Sequence, residues 1–373
     1  MSESKMKIEA MVVRQPGGPF CREALELDAP GNHEVLVRVV AAGMCHTDLA
    51  VVDQSFPFPL PFVLGHEGSG IVERVGAGVT SVATGDHVVL TFNSCGACRS
   101  CETGHQAYCH SFSALNLSGC RIDGSTTLRC GGEVVHGSFF SQSSFATHAL
   151  ADERSVVPVP RDAPLELLGP LGCGVQTGAG AVINMLRPWP GSTAAVFGTG
   201  AVGLSAIMAA RIVGCGRIFA VDPVQHRLDL ASELGATDLI NVTQQDAKTI
   251  IHNAGGADIS LDTSGSAAGV TSAIECLKRN GSCGLVSSGG RGSTVTLPIA
   301  QLMGRHVFGV IEGDANPRTF IPELVEFHRQ GKLPFERMVK FYDMSEISRA
   351  AADSRSGATI KPIIRFSDDF NAS

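Results

Sequence analysis

The sequence has few charged residues, a small net charge and no long hydrophobic run. Only 17% of its 373 residues are charged, and the net charge is −7 at pH 7. No apolar run approaches the roughly 20 residues that a membrane-spanning helix requires. The polar segment 1–7 lacks the apolar stretch of a secretory signal peptide. The mild acidity disfavours nucleic acid or an anionic membrane as a partner. We therefore expect a cytoplasmic protein that binds neither.

Twelve cysteines are many, but the pattern of a secreted disulfide scaffold belongs to much shorter chains. We therefore expect reduced thiols, several of which bind metal. A chain of 373 residues is also too long for one ordinary core, so two domains are expected. The 43 glycines suit an α/β fold with many tight turns between strands and helices.

The two halves of the chain differ in their predicted elements. The first half contains short β-type runs at 34–42, 71–75 and 87–92, separated by Gly and Pro. The polar, glycine-rich segment 111–140 is predicted to be irregular. After 188–191, apolar strands alternate with helices, which indicates βαβ units and a parallel sheet. The predicted strands of this part are 193–197, 217–221, 257–261, 283–287 and 361–366, and the predicted helices are 201–213, 227–233 and 320–330.

Four cysteines follow the spacing C-x2-C-x2-C-x7-C within one short segment. Four thiolates this close can surround one tetrahedral ion, and Zn²⁺ accepts such a ligand set without strain. The site has no open coordination position, so a structural role is expected. An iron–sulfur cluster and free thiols are the alternatives, but the bacterial ferredoxin spacing ends C-x3-C-P, whereas the last gap here is seven residues. The four residues are Cys95, Cys98, Cys101 and Cys109.

A glycine-rich turn in the second half predicts a dinucleotide site. The segment 198–203 fits G-x-G-x-x-G between a predicted strand and a predicted helix. Gly198 would form the turn, Gly200 would let the backbone approach a pyrophosphate, and Gly203 would allow close packing of helix on strand. The amides that open the helix, from Ala201 and Val202 onward, would face the phosphates.

The next predicted strand ends at Asp222, where a carboxylate would accept hydrogen bonds from the adenosine ribose. A 2′-phosphate would be repelled there, so NAD is favoured over NADP. Arg227 lies nearby and could neutralise part of such an added charge.

Three further glycine-rich segments contain a second possible ligand set. They are Gly43 to Asp48 (GMCHTD), Gly65 to Gly70 (GHEGSG) and Gly172 to Gly174 (GCG). Two cysteines and a histidine would bind zinc and leave a fourth coordination position open, as catalytic zinc sites do. These residues are far apart in sequence, however, so their spacing alone does not show that they meet.

Taken together and in this order, these motifs resemble the zinc-dependent medium-chain alcohol dehydrogenases over nearly the whole chain. Residues 57–67 and 166–180 are most similar to the aryl-alcohol (benzyl alcohol) and geraniol dehydrogenase branch. The resemblance implies an α/β protein with a GroES-like β-rich catalytic domain, a doubly wound Rossmann domain with a parallel sheet, and an active site in the cleft between them. The implied boundaries are 1–180 for the catalytic domain with a structural zinc lobe at 93–112, 181–315 for the NAD-binding domain, and 316–373 for a return to the catalytic domain.

The resemblance also implies a role for individual residues. Cys45, His66 and Cys173 would bind the catalytic zinc, with Glu67 behind the metal as a possible alternative ligand. Asp48 would orient His66, and Thr47 would take the proton of the alcohol. Further implied contacts are His46 and Lys361 to the cofactor pyrophosphate, Thr177 near the nicotinamide, and Phe92 in the substrate pocket.

The implied activity is hydride transfer between NAD and a primary alcohol or aldehyde, preferably benzylic or allylic, in an enzyme with two zinc ions per chain. A general aliphatic alcohol dehydrogenase or a glutathione-dependent formaldehyde dehydrogenase is the alternative. The family suggests a homodimer, with a tetramer as the other possibility. One departure concerns Ala50, which stands where related enzymes often have a proton-relay histidine.

Overall fold

The computed structural model describes residues 5–287, 289, 290 and 292–367. The strands are β1 (Met6–Val13), β2 (Phe20–Leu27), β3 (Glu34–Gly43), β4 (Phe62–Val63), β5 (Glu67–Val75), β6 (His87–Leu90), β7 (Leu128–Cys130), β8 (Glu133–Val135), β9 (His148–Asp152), β10 (Val156–Pro158), β11 (Thr193–Phe197), β12 (Arg217–Asp222), β13 (Asp238–Asn241), β14 (Ala257–Asp262), β15 (Leu277–Leu285), β16 (His306–Gly309), β17 (Val339–Asp343) and β18 (Lys361–Arg365). The α-helices are α1 (His46–Val52), α2 (Arg99–Glu102), α3 (Phe112–Asn116), α4 (Gly174–Gly180), α5 (Ala201–Ile212), α6 (Gln225–Leu234), α7 (Ala247–Asn253), α8 (Ala267–Glu275), α9 (Pro317–Arg329) and α10 (Ile347–Ser356).

The chain forms two compact units. Unit 1 comprises residues up to Cys173, Asn316–Glu326 and the chain from Glu336 onward, and unit 2 comprises Gly174–Ala315 and Phe327–Phe335. The first division therefore falls before Gly174, whereas the resemblance implied 180/181. Helix α4 belongs to unit 2 because it packs closely on α5: a Cβ on Gly178 would overlap the carbonyl oxygen of Val202.

Unit 1 is β-rich. One sheet has the order β4-β1-β2-β7-β8, and the other has the order β10-β6-β5-β3-β18-β17 with β9 also paired to β3. The C-terminal strand β18 pairs with β3, so the end of the chain completes the sheet that the N-terminal half begins. The segment 111–140, which was predicted to be irregular, contains the short elements α3, β7 and β8.

Unit 2 is built on a six-stranded parallel sheet with the order β13-β12-β11-β14-β15-β16. Numbered within the unit, this is the order 3-2-1-4-5-6 of the doubly wound dinucleotide-binding fold. Its strand order reverses between β11 and β14, which is where such sheets bind ligands. The parallel sheet predicted from the sequence is thus confirmed, although β15 ends at Leu285, before the predicted end at 287.

Two absences predicted from the sequence can be checked in the described residues. None of the twelve cysteines, all of which lie in the described ranges, forms a disulfide. No helix in the described part of the chain combines the length and apolar character needed to cross a membrane.

Candidate active site and metal centres

The cysteine quartet has the geometry of a tetrahedral metal site. Its four sulfur atoms lie within 4.8 Å of one another. The Sγ–Sγ distances are 3.5 Å for Cys98–Cys101, 3.9 Å for Cys95–Cys101 and 4.0 Å for Cys98–Cys109. Four sulfurs at 2.3 Å from a tetrahedral zinc would be about 3.8 Å apart. The separations are far longer than a disulfide bond, so the quartet fits a closed zinc site.

Backbone amides point at these sulfurs and stabilise them as thiolates. The amide of Cys95 donates to Cys109 Sγ at 3.2 Å, and the amide of His110 donates to Cys98 Sγ at 3.5 Å. The hydrogen bond from His110 and a second one from the Cys101 amide lower the pKa of Cys98 to about 6. Burial raises the pKa of Cys109 to about 12, so this thiol would need the metal to lose its proton near neutral pH.

The second ligand set also comes together, entirely within unit 1. Ligand atoms of Cys45, His66, Glu67 and Cys173 lie within 4.8 Å of one another. Cys45 caps the N-terminus of α1 directly after β3, His66 immediately precedes β5, and Cys173 is the last residue of this part of unit 1. The paired strands β3 and β5 therefore bring Cys45 and His66 together, and Cys173 follows a short turn, Gly169–Gly172, that packs against the backbone of Glu67.

One carboxylate holds two of these ligands. Asp48 is fully buried, and its Oδ1 accepts hydrogen bonds from His66 Nδ1 at 3.1 Å and from the Gly65 amide at 3.1 Å. Its Oδ2 accepts from the Cys45 amide at 2.9 Å. The other ring nitrogen of His66, Nε2, is buried and has no hydrogen-bond partner among the described residues. A buried, unpartnered imidazole nitrogen beside two thiols is the donor that a zinc ion would satisfy.

The charges of the set favour ligation. The hydrogen bond from Cys173 and the positive charge of His66 lower the pKa of Cys45 well below its ordinary value. Burial alone would lower the pKa of His66, but the Asp48 carboxylate and Cys45 together outweigh it and raise that pKa. A lowered thiol pKa favours the thiolate, which is the form that binds zinc.

Lys361, which the resemblance implied at the cofactor pyrophosphate, forms a buried ion pair within unit 1. Its Nζ is buried and donates to both carboxylate oxygens of Glu67 at 2.9 Å and to the carbonyl oxygen of Met44 at 3.2 Å. All three ammonium donors are used inside unit 1, where Lys361 neutralises Glu67. The physical reason is the burial of Glu67, which raises the pKa of that carboxyl and is opposed by the Lys361 charge. Gly43 leaves room for the pair, since a Cβ there would overlap Glu67.

The remaining predicted residues of unit 1 are Thr47, His46 and Phe92. Thr47 Oγ1 lies 3.7 Å from Cys45 Sγ, and His46 is exposed on the first turn of α1. Phe92 is buried, with its ring centroid 5.8 Å from that of Phe112.

Two aromatic residues that the sequence analysis did not identify pack directly on His66. The Phe140 ring stacks on the imidazole with centroids 4.6 Å apart and an interplanar angle of 25°, and Phe139 meets it edge-on at 5.2 Å. The only signal in the sequence is an adjacent pair of phenylalanines in a polar segment, and such a pair is usually a core element.

The dinucleotide turn of unit 2 has the local geometry predicted for it. Gly198 has φ +90°, in the left-handed region that favours glycine, and a Cβ on Gly203 would overlap the carbonyl oxygen of Gly198. A Cβ on Gly200, in contrast, would meet no atom within 4 Å. The turn therefore leaves open space at its second glycine, in front of the helix α5 that begins at Ala201 and Val202. This is the position that a pyrophosphate would fill.

Asp222 ends β12 and lies beside this turn. Its Oδ2 accepts from the Thr199 amide at 2.7 Å and its Oδ1 from the Val224 amide at 2.9 Å. A carboxylate has about four acceptor positions, so two remain for ribose hydroxyls. Arg227 Nε is buried without a hydrogen-bond partner in the described part of the chain. Thr177, on α4, donates to Glu312 at 3.4 Å within the same unit.

Comparisons with known proteins agree with this fold and these sites. Residues 31–161 match the family described as "Alcohol dehydrogenase GroES-like domain", and residues 201–329 match "Zinc-binding dehydrogenase". The chain therefore belongs to the zinc-dependent medium-chain alcohol dehydrogenase family, whose members are oxidoreductases that act on alcohols.

Individual relatives cover almost the whole chain. Geraniol dehydrogenase of Castellaniella defragrans is 45% identical over 364 residues, which are 96% of this chain and 97% of that protein. The structure of benzyl alcohol dehydrogenase from Acinetobacter calcoaceticus superposes with a TM-score of 0.94 at 47% identity, covering 97% of this chain and 100% of the other. An alcohol dehydrogenase zinc-binding domain protein from Burkholderia ambifaria reaches a TM-score of 0.96 at 52% identity, with coverages of 97% and 99%.

Proposed function

We propose that this enzyme is an NAD-dependent, zinc-containing dehydrogenase of primary benzylic or allylic alcohols. The observation that carries the proposal is the set Cys45, His66 and Cys173, in which the buried His66 Nε2 lies beside two thiols and has no hydrogen-bond partner among the described residues. The substrate class is supported by the relatives named above, since geraniol is an allylic alcohol and benzyl alcohol a benzylic one.

The residues of unit 1 would each have a separate role in the reaction. A zinc ion held by Cys45, His66 and Cys173 would supply Lewis-acid chemistry that makes an alcohol more acidic. Asp48 keeps His66 in the tautomer that turns Nε2 toward the metal position. The Thr47 hydroxyl, 3.7 Å from Cys45 Sγ, would accept the hydrogen bond of the alcohol and move its proton away from the site. The proton then leaves by His46 or by water, because Ala50 offers no acceptor.

Each chain would hold two zinc ions, the second one in the Cys95–Cys109 quartet. The Sγ–Sγ distances of 3.5, 3.9 and 4.0 Å support this assignment, because they bracket the edge of a zinc–sulfur tetrahedron. The cytoplasm is the proposed location, and twelve thiols that form no disulfide in the described residues suit its reducing conditions.

NAD is the proposed cofactor because Asp222 would repel a 2′-phosphate. Asp222→Gly should weaken NAD binding and raise the relative use of NADP, with Arg227 available to pair with the added phosphate. The measurement is kcat/KM for both cofactors at one fixed pH. Wild-type enzyme that used NADP as well as NAD would show that Asp222 does not select the cofactor.

The proposed assembly is a homodimer formed through the edge strand β16. This strand pairs on one side with β15 and ends the sheet of unit 2. Six of the ten exposed large apolar residues in the described ranges lie between positions 295 and 311. An exposed edge beside an apolar patch can pair with its own copy about a two-fold axis. Val307→Lys on β16 should produce monomers in sedimentation velocity, whereas wild-type monomers, or wild-type tetramers that persist in the variant, would contradict the proposal.

The substrate assignment is tested with a panel of alcohols and NAD at constant pH. Benzyl alcohol and an allylic alcohol should give higher kcat/KM than ethanol, and S-hydroxymethylglutathione should give none. A preference for ethanol would favour a general aliphatic alcohol dehydrogenase, and activity with S-hydroxymethylglutathione would favour a formaldehyde dehydrogenase.

A further inference from the structure

The segment from Ser138 to Ser143 has an unusual backbone. Four of the nine non-glycine residues with positive φ in the described ranges lie here: Ser138 (+55°), Phe140 (+49°), Ser141 (+59°) and Ser143 (+56°). Left-handed conformations are unfavourable for residues with a Cβ, and they persist where surrounding contacts hold them. The contacts that this segment makes should therefore matter to the fold or to the site beside it.

Gln142, the fifth of the six residues of this segment, is 2% exposed, and its carboxamide both donates and accepts hydrogen bonds. Its Nε2 donates to the carbonyl oxygen of His66 at 3.0 Å and to that of Thr91 at 3.4 Å, and its Oε1 accepts from the Gly68 amide at 3.1 Å. One side chain thus binds the backbone immediately before and immediately after Glu67. There is little free space around it, because a Cβ on Gly68 would lie 3.0 Å from Gln142 Oε1.

These contacts act on the backbone of His66, whereas its other partners act on the imidazole ring. The imidazole is fixed at Nδ1 by Asp48 and on its face by Phe140, which comes from the same segment as Gln142. The ring position also depends on the peptide group that carries it, and the Gln142 carboxamide fixes that peptide group at its carbonyl oxygen. Loss of the carboxamide would free the peptide group, and the direction of Nε2 toward Cys45 and Cys173 would vary.

We propose that Gln142 is a positioning residue of the catalytic zinc site, which fixes the backbone of His66 so that Nε2 stays directed at the metal position. The inference rests on the proposed function, because it presumes that Cys45, His66 and Cys173 bind zinc. Gln142 itself reaches no ligand atom and acts through the peptide groups on either side of Glu67.

The test variant is Gln142→Met, which keeps the length of the side chain and removes every hydrogen bond. The matched control is Asn116→Leu. Asn116 is also a buried carboxamide of unit 1. Its side chain accepts a hydrogen bond from the Asn93 amide at 2.7 Å and donates to the Asn93 and Phe112 carbonyl oxygens at 2.9 Å. None of these hydrogen bonds goes to the His66 segment. If Gln142→Met does not fold, Gln142→Asn, whose amide is one methylene too short for all three contacts, replaces it.

The readout is zinc release from the intact enzyme during incubation with a chelator. Native mass spectrometry counts the zinc ions, and pulse alkylation of the thiols shows whether Cys45 or Cys98 has lost its metal. Partners behind metal ligands typically change metal affinity about 10- to 100-fold. We therefore expect Gln142→Met to release the zinc at Cys45 at least about 10-fold faster than wild type does, with Cys98 protected as in wild type.

Each other outcome contradicts the inference in a recognisable way. Equal release rates in wild type and Gln142→Met would show that Gln142 does not position His66. Equally fast release from Cys45 in Asn116→Leu would show a general loss of stability. Wild-type enzyme with no zinc at Cys45 would overturn the proposed function together with this inference.

Discussion

The two candidate zinc sites of unit 1 use the same thiol chemistry and are built in opposite ways. The quartet takes all its ligands from the single stretch Cys95–Cys109, where backbone amides donate to the sulfurs. The other site takes its ligands from three distant segments that meet through paired strands, and its donors are held by buried charged groups. A local site can be stabilised by its own loop, whereas the second site depends on the packing of the whole unit. Substitutions at the two sites should therefore have different effects on stability and activity.

The largest contrast is expected from removing one sulfur ligand at each site. Cys45→Ser should lower kcat/KM by about 10³-fold or more, because Lewis-acid stabilisation is worth several kcal/mol, and the protein should stay folded. Cys98→Ser should instead lower the thermal unfolding temperature, since structural zinc contributes folding free energy. The measurements are steady-state kinetics and thermal unfolding of both variants. The comparison fails if Cys45→Ser keeps full activity and wild type holds a single zinc per chain.

The next contrast concerns the buried ion pair, which only the distant-segment site possesses. Lys361→Met would remove the cation that lies 2.9 Å from the buried Glu67 carboxylate, at a cost of about 3–5 kcal/mol. The control Lys340→Met removes an exposed pair with Asp353 and should cost no more than about 1 kcal/mol. Urea unfolding measures both costs, and Glu67→Gln in the Lys361→Met background should restore most of the loss. Similar costs for Lys361→Met and Lys340→Met would show that Glu67 is neutral or well solvated without its partner.

How far each site could be predicted follows from the same contrast. The quartet and the turn from Gly198 to Gly203 are local patterns, and the structure gives each the geometry expected from its spacing. The set of Cys45, His66 and Cys173 is not local. Its assembly depends on long-range contacts such as the pairing of β3 with β5. Residue spacing does not show that the three residues meet, and only the resemblance to known enzymes predicts it.

The residues that sequence analysis missed, and one contact it did not foresee, all involve long sequence separations. The strand β18 returns to β3 and brings Lys361 against Glu67, 294 positions earlier in the chain. Phe140 and Gln142 were missed because their segment has no periodicity and because each contacts a residue more than 70 positions away. Non-local contacts of this kind leave no spacing that a sequence pattern can reveal.

A smaller effect on zinc binding is expected from replacing Asp48, the carboxylate that holds His66. Asp48→Asn keeps the shape of the side chain but places an amide donor against one of the groups that now donate to the carboxylate. We expect zinc affinity at Cys45 to fall about 10- to 100-fold, with no change at the quartet. Competition with a zinc chelator measures both sites, and Asp28→Asn, which alters an ion pair with Arg121, is the control. An unchanged affinity at Cys45 would mean that His66 is oriented without the carboxylate.

The smallest expected effect tests whether the aromatic packing on His66 contributes to metal binding. Aromatic stacking is worth about 0.5–1.5 kcal/mol beyond the buried area, which corresponds to a change of about 2- to 13-fold in an equilibrium constant. Phe140→Leu removes the ring that stacks on the imidazole at 4.6 Å, and zinc at Cys45 should bind more weakly by about this factor. Phe20→Leu is the control, since Phe20 is buried in the same unit and meets Phe145 edge-on at 5.9 Å. Competition with a chelator should give different zinc affinities for the two variants at the Cys45 site and equal zinc affinities at the quartet. If Phe20→Leu weakens zinc binding at Cys45 as much as Phe140→Leu does, Phe140 contributes only packing to the core and nothing specific to His66.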